Sequence, residues 1–197
     1  MAETVDDGRR RLLIAATSLT GAVGIGFAVT PFIASWQPSV RARTLGGPVE
    51  IDIGKLEPGA ILRVRWRGKP VWVVRRTPEM LKQLEQATPF LRDPASETSV
   101  QPAYAKNAAR ARNPEYLVVL GVCTHLGCSP TPKLSASDAT MSADWPGGFF
   151  CACHGSKFDL SGRVFKGMVA TSNMTVPPYV FLSDTRVLIG NDTKAST

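Results

Sequence analysis

The 197-residue sequence predicts a mainly β fold, one antiparallel β domain carried behind a single amino-terminal transmembrane helix. Three observations lead there. A charge-free apolar run lies near the amino end, short β-type runs separated by turn residues fill most of the remainder, and every cysteine and histidine falls in two short loops that follow strand-like runs.

The apolar run is "LLIAATSLTGAVGIGFAVTPFIAS", residues 12–35, inside a stretch from Leu12 to Val40 that holds no charge. As a helix rising about 1.5 Å per residue it reaches ~36 Å, more than the ~30 Å hydrocarbon core of a bilayer. It is longer than the apolar core of a cleavable signal peptide and no Ala-x-Ala site follows it. An uncleaved anchor is therefore expected, ahead of a cleaved signal or a buried helix. Gly21, Ala22, Gly24 and Gly26 would let a neighbouring membrane helix come close. Arg9, Arg10 and Arg11 precede the run and the next bases are Arg41 and Arg43. Positive-inside reasoning thus leaves residues 1–11 in the cytoplasm and the rest of the chain outside. "RRRLL" also resembles a twin-arginine export signal, a route for folded proteins that suits a cofactor inserted before export.

Residues 36–48, "WQPSVRARTLGGP", read as a flexible hinge. The exported domain is expected over residues 49–197. In it "VEIDI" (49–53), "ILRVRW" (61–66) and "VWVVRR" (71–76) predict an antiparallel meander. "TPEMLKQLEQA" predicts a short helix, with Thr77 as N-cap and Pro78 at the first helical position. Residues 92–114 are polar and irregular, a surface excursion. "EYLVVLGV" (115–122) is a strand running into the first Cys/His loop, "GGFF" (147–150) leads into the second, and "VFLSDTRVLIG" (180–190) is a closing hairpin.

The formal charge of +7 lies wholly beyond the anchor, because residues 1–40 hold three acids and three arginines. The bases there are scattered and lack interleaved aromatics. They read as solvated strand edges, and nucleic acid is excluded as a partner.

"CTHLGC" (123–128) and "CACHGSKFD" (151–159) contain all four cysteines and both histidines. Zinc would use only four of the six, and Cys-x-His is tighter than its usual ligand spacing. A disulfide scaffold leaves the histidines idle, and a Cys/His nucleophilic dyad has no need of two mirrored loops. A [2Fe-2S] cluster taking one cysteine and one histidine from each loop, with the other two cysteines bridging, uses all six.

The two stretches resemble the paired boxes of the Rieske iron–sulfur family of cytochrome bc complexes. "KG" (166–167), "VPPY" (176–179) and "LSDTRVLIG" (182–190) resemble the carboxyl part of its bacterial form. The resemblance implies a Rieske-type β domain with a cluster-binding subdomain, its loops at about 121–160, and one [2Fe-2S] cluster. Cys123 and Cys151 would bind the inner iron, His125 and His154 the outer iron, and Cys128 and Cys153 would form the disulfide. Ser156 would donate to a cluster sulfur, Leu126 would shield the histidines, and Gly127 and Gly155 would turn the loops and offer N–H groups to sulfur.

The implied function is that of the electron-transfer subunit of a ubiquinol:cytochrome c oxidoreductase in the bacterial inner membrane, with its head in the periplasm. Ubiquinol would be oxidised at His154, with His125 beside it, and cytochrome b and a c-type cytochrome would be the partner subunits. The alternatives are the Rieske subunit of an exported molybdenum oxidase and a zinc-stabilised, membrane-anchored binding module. Three features depart from the family pattern: Phe158 stands where tyrosine is common, the cover loop "GMVATSN" (167–173) lacks proline, and the stretch 129–150 is long.

Overall fold

Two strands that are apolar on both faces fix the layering of the exported part. The computed structural model describes residues 6–136 and 138–193; the first five residues of the amino-terminal segment and the last four of the chain lie outside the described residues. The chain divides into an amino-terminal unit, Met1–Thr44, and a β unit, Leu45–Thr197.

In the first unit, helix α1 (Asp7–Ser35) is capped by Asp6, whose carboxylate accepts from the N–H groups of Gly8 and Arg9. Its side chains are exposed throughout, and an 18-residue window with mean hydropathy 2.0 is apolar and long enough to cross a membrane. The hydroxyls of Thr17, Thr20 and Thr30 donate to carbonyls four residues back, so these three side chains are satisfied within the helix. The hinge is not wholly irregular. Val40–Leu45 forms a short helix, α2, because Ser39 accepts from the N–H of Ala42 as an N-cap does, and Arg and Ala follow as good helix formers.

Among its described residues the β unit has nine strands in three antiparallel sheets. They are β1 (Val49–Asp52), β2 (Ile61–Trp66), β3 (Lys69–Arg75), β4 (Tyr116–Leu120), β5 (Thr131–Lys133), β6 (Gly148–Cys151), β7 (Ser156–Phe158), β8 (Tyr179–Phe181) and β9 (Arg186–Ile189). The sheet orders are β1-β9-β8, β2-β3-β4 and β5-β6-β7. The expected meander is thus corrected. Strands β2 and β3 form a hairpin that continues to β4, whereas β1 pairs with β9 from the closing hairpin. Between β1 and β2 the turn residues of "GKLEPGA" carry the chain out of one sheet and into another.

Along β3 and β4 successive side chains point to opposite faces. Val71, Val73, Val118 and Leu120 enter one core with Ile51, Ile53, Val187, Ile189 and Tyr179. Trp72, Val74, Leu117 and Val119 enter a second with Phe149, Phe158, Val164, Cys123 and Cys151. Strands β3 and β4 are therefore buried on both faces, which explains the unbroken apolar runs "VWVV" and "YLVVL". The second core packs directly beneath the Cys/His loops.

Helix α3 (Pro78–Ala87) forms as expected, with Thr77 Oγ1 accepting from Met80 N at 3.3 Å. The segment 92–114 differs from its expected role. It contains buried Asp93, Ser96, Ser99, Ala105, Arg110 and Ala111, and it frames the later loops with polar side chains. Asp93 accepts from Glu97 N, Thr98 N, Thr98 Oγ1 and Ser99 Oγ at 2.7–3.2 Å. Asn173 donates from Nδ2 to Asp93 O and Ser96 Oγ and from its backbone N–H to Ser99 Oγ, while its Oδ1 accepts from Val164 N. Arg163, fully buried, pairs with Asp159 at 2.7 Å and also donates to Leu84 O and Pro94 O. Arg110 donates to Met174 O at 2.6 Å. Desolvation by burial pushes the guanidinium of Arg110 down to about 10.

Desolvation raises the Asp93 carboxyl, but the hydrogen bonds from Ser99, Glu97 and Thr98 together outweigh it and hold the group below its ordinary 3.8. Stability linked to a depressed carboxylate is complete above the unfolded value and is lost as pH falls through the folded one. Asp93→Asn should therefore cost about 1–3 kcal/mol at neutral pH, since an amide nitrogen would face donors. The gap from the unsubstituted chain should close as pH drops below 3.8. Thermal unfolding of both proteins from pH 7 to pH 3 checks this; a gap independent of pH would remove Asp93 from the acid response.

Candidate metal centre

The first loop leaves β4 at Gly121, where a Cβ would overlap the Trp72 indole, and the Gly121 N–H donates to Pro70 O at 2.8 Å. Loop one is thereby pressed onto the central sheet, and Cys123 follows two residues later. The second loop is the β6–β7 turn: Cys151 ends β6 and Ser156 begins β7, and the two residues are paired in register.

The loops close alike. Gly127 N donates to Cys123 O at 3.0 Å and Gly155 N to Cys151 O at 2.9 Å, with both glycines at positive φ, 83° and 74°. That region is nearly free of cost only for glycine. The expected turns are present, but these two amides are spent on the carbonyls that close the turns and do not reach sulfur.

All six sequence-predicted residues come together. Cys128 and Cys153 form a disulfide, and Cys123 and Cys151 remain free and buried. The sulfurs of Cys128, Cys151 and Cys153 lie within 4.8 Å of one another, but the disulfide withdraws two of them as donors, so Cys151 alone in that trio remains available. The imidazoles of His125 and His154 stand nearly perpendicular with centroids 4.6 Å apart. Burial is graded across the site: Cys123 and Cys151 are interior, His125 is half-buried, and His154, Cys153 and Leu126 are exposed.

Two features fit an iron–sulfur cluster. His125 Nδ1 is buried without a partner, which is costly unless a ligand occupies it. Burial pushes the Cys123 thiol up and the neighbouring Cys151 adds to the rise, with the His125 amide and Ser156 offsetting only part of it, so on its own the thiol keeps its proton. A coordinating metal deprotonates such a thiol outright. Ser156, 1% exposed, also accepts from Ala170 N at 3.2 Å.

The cover loop needs no proline to be fixed. Met168 O accepts from Arg92 Nη2, Ser172 O accepts from Thr124 Oγ1 at 2.6 Å, and Asn173 is held by the frame already described. Sequence reasoning missed Arg92, Asp93, Ser96, Ser99, Thr124 and Asn173. For the four in 92–114 the only signal was their polarity within a stretch too short of apolar residues to be read as core, and for Thr124 and Asn173 it was their place within the donor and cover loops. The long stretch 129–150 supplies β5 and then folds back, with Trp145 buried and its Nε1 donating to Lys133 O at 2.9 Å. Its far end walls an open groove of about 650 Å³ with Phe90, Phe165, Lys157, Lys166 and Met168.

Two turns that each offer one sulfur and one imidazole, bolted together by a disulfide above an antiparallel core, define a Rieske-type iron–sulfur protein. The comparisons with known proteins agree. Residues 50–178 match the Rieske [2Fe-2S] domain, and residues 1–39 match the ubiquinol-cytochrome c reductase Fe-S subunit TAT signal. The chain is 58% identical over 191 residues to the ubiquinol-cytochrome c reductase iron-sulfur subunit of Allochromatium vinosum, covering 97% of this chain and 92% of that one. It is 40% identical to the subunit of the same name from Blastochloris viridis, covering 95% and 96%. A chain of a hyperthermophilic respiratory complex III matches 90% of this chain and 98% of its own at 22% identity and a TM-score of 0.48. This chain belongs to the Rieske family, among the iron–sulfur subunits of ubiquinol-cytochrome c reductase. It is a subunit of an oxidoreductase complex whose cofactor is one Rieske-type [2Fe-2S] cluster, and its export signal and apolar helix fit an exported, membrane-anchored subunit. Two cysteines and two histidines would also suit zinc, and family membership decides between the two.

The disulfide closes a loop with a sequence separation of 25, worth roughly 3.5 kcal/mol on chain-entropy grounds. Replacing Cys128 and Cys153 together by serine should leave the sheets folded but the two loops free to part. The visible absorption of the cluster should then decay much faster in the presence of a chelator than it does in the unsubstituted chain. An unchanged lifetime would mean that packing alone holds the loops.

Proposed function

We propose that this chain takes one electron and one proton from ubiquinol and passes the electron to a c-type cytochrome, as part of a complex with cytochrome b in the bacterial inner membrane. The amino end lies in the cytoplasm and the head in the periplasm. The graded burial of the site carries this reading: the free cysteines are inside, His125 is half-buried, and His154 is exposed.

Cys123 and Cys151 would hold the cluster as thiolates from the buried side, and His125 and His154 would hold it through neutral imidazoles from the more exposed side. The cluster supplies one-electron redox chemistry at a raised potential, because two thiolates and two neutral imidazoles leave its oxidised form without net charge, unlike four thiolates. His125 Nδ1, buried and unpartnered, would be the ring nitrogen that binds the metal. His154 is exposed, and its outward ring nitrogen accepts the hydrogen bond of the quinol hydroxyl and then its proton. Leu126, 71% exposed, and the half-exposed Val169 give this edge an apolar rim suited to a quinone ring and to partner subunits. The second electron of the quinol goes to cytochrome b. The hinge, residues 36–48, lets the head travel between its two redox partners.

The ligand set is tested by alanine at Cys123, His125, Cys151 and His154, one at a time. Each substitution should abolish the cluster, measured as iron and acid-labile sulfide per chain. Full iron content in any one variant would remove that residue from the set.

Phe158 is fully buried in the core that contains Cys123 and Cys151. Phe158→Tyr places a hydroxyl near buried sulfur, and a donor preferring the reduced form by about 1 kcal/mol raises a one-electron potential by roughly 43 mV. Redox titration should show a rise of tens of millivolts. An unchanged potential with an intact cluster would show that the ring at 158 points away from the cysteine sulfurs.

A further inference from the structure

Ser156 has one hydroxyl proton and two lone pairs, and the surroundings of its oxygen are almost fully specified. It is 1% exposed, so water does not compete for it, and Ala170, whose N–H donates to it at 3.2 Å, is 0% exposed. Among the described residues no oxygen accepts from the Ser156 hydroxyl, and Ser156 stands opposite Cys151 in the β6–β7 register, so the two side chains share one face of the ladder. With one lone pair held by the Ala170 N–H, the O–H is left to turn toward sulfur.

We propose that the backbone N–H of Ala170 is a positioning donor for the redox centre, aiming and polarising the Ser156 hydroxyl toward the buried cysteine sulfurs of the site. The proposal rests on Ser156 and Cys123 lying at the cluster as read above. An N–H bonded to a hydroxyl oxygen makes the O–H a stronger donor, because successive hydrogen bonds polarise one another in a medium of low dielectric. A donor aimed at sulfur favours the reduced, more negative state, so the cover loop sets part of the potential without touching the cluster. The loop is fixed well enough to do so: Arg92 holds Met168 O, Thr124 holds Ser172 O, and Asn173 is bonded at both ends of its side chain. The Ala170 N–H therefore occupies one place relative to Ser156.

The test uses the full chain in its purified complex. Lactic acid introduced in place of Ala170 by nonsense suppression removes the N–H and keeps the methyl group. Ala170→Gly keeps the N–H and serves as the conservative control. Midpoint potentials are measured by redox titration with the electron paramagnetic resonance spectrum of the reduced cluster as readout. The ester should lower the potential, Ala170→Gly should leave it in place, and Ser156→Ala should lower it further than the ester does. Combined with Ser156→Ala, the ester should add no further shift.

An ester without effect on the potential, while Ser156→Ala lowers it, overturns the proposal. So does an ester shift of equal size in both backgrounds, since the amide would then act independently of Ser156. A Ser156→Ala variant with unchanged potential instead sinks the underlying reading that Ser156 donates to the centre, and this proposal with it. Should the ester chain fail to retain iron, Ser156→Ala carries the test alone. Its Ala170 amide, having lost its acceptor, should exchange with deuterium faster than in the unsubstituted chain, and unaltered exchange overturns the proposal.

Discussion

The bond between Cys128 and Cys153 is the constraint on which the site depends, because the two donor loops share no backbone ladder. Loop one hangs from the central sheet and loop two belongs to the outer β5-β6-β7 sheet. Each closes internally on its own cysteine carbonyl. Side-chain packing between Trp72 and Phe149, centroids 5.3 Å apart, brings the layers together but leaves the angle between the turns soft. A covalent link at the outer edge removes that freedom and keeps the two loops together, with their imidazole centroids 4.6 Å apart.

Beneath that link the protein uses buried polarity where a larger domain would use apolar volume. Arg76, Arg110 and Arg163 are all buried, yet Asp159 is the one acid paired directly with any of them among the described residues. Most of their hydrogen bonds run to main-chain carbonyls, those of Ala109, Leu160, Ser161, Met174 and Pro94 in irregular segments and that of Leu84 in α3. A guanidinium has five donors in a rigid plane and can pin several irregular segments at once. The cost is desolvation, which pulls Arg76 and Arg110 down to about 10. The gain is that loops with no strand geometry of their own acquire a fixed shape.

This division decides what was legible in the sequence. The anchor, α3 and the six cysteines and histidines were legible because each is local: a run length, a cap, a spacing. Strands β3 and β4 were legible as apolar runs, although their burial on both faces was not. The pairing of β1 with β9 was hidden because Val49 and Ile189 lie at opposite ends of the domain and no turn joins them. The excursion 92–114 looked like solvent-exposed loop because its contribution is made by hydrogen bonds from Asp93, Ser96, Ser99 and Arg110 to residues far along the chain, and hydrogen bonding leaves no hydropathy period. Gly127 and Gly155 were legible as turns, but the destination of their N–H groups was not.

The cover loop shows why a missing proline is not a missing constraint. Proline stiffens a loop by fixing φ, and it does so by deleting an N–H. Here the loop's N–H groups are in use: Ala170 donates to Ser156, and Asn173 donates to Ser99. Proline at either position would remove a bond that ties the loop to the site or to its frame. The carbonyls of Met168 and Ser172 are taken by Arg92 and Thr124, so between 168 and 173 the chain is held alternately from both sides. Rigidity supplied in this way is specific as well as stiff. Each bond fixes a direction as well as a torsion, and one of those directions is that of the Ser156 hydroxyl. The same absence that weakens the family pattern at the level of sequence therefore leaves room for a hydrogen-bonded loop whose position is set by residues from the excursion, the first donor loop and the second.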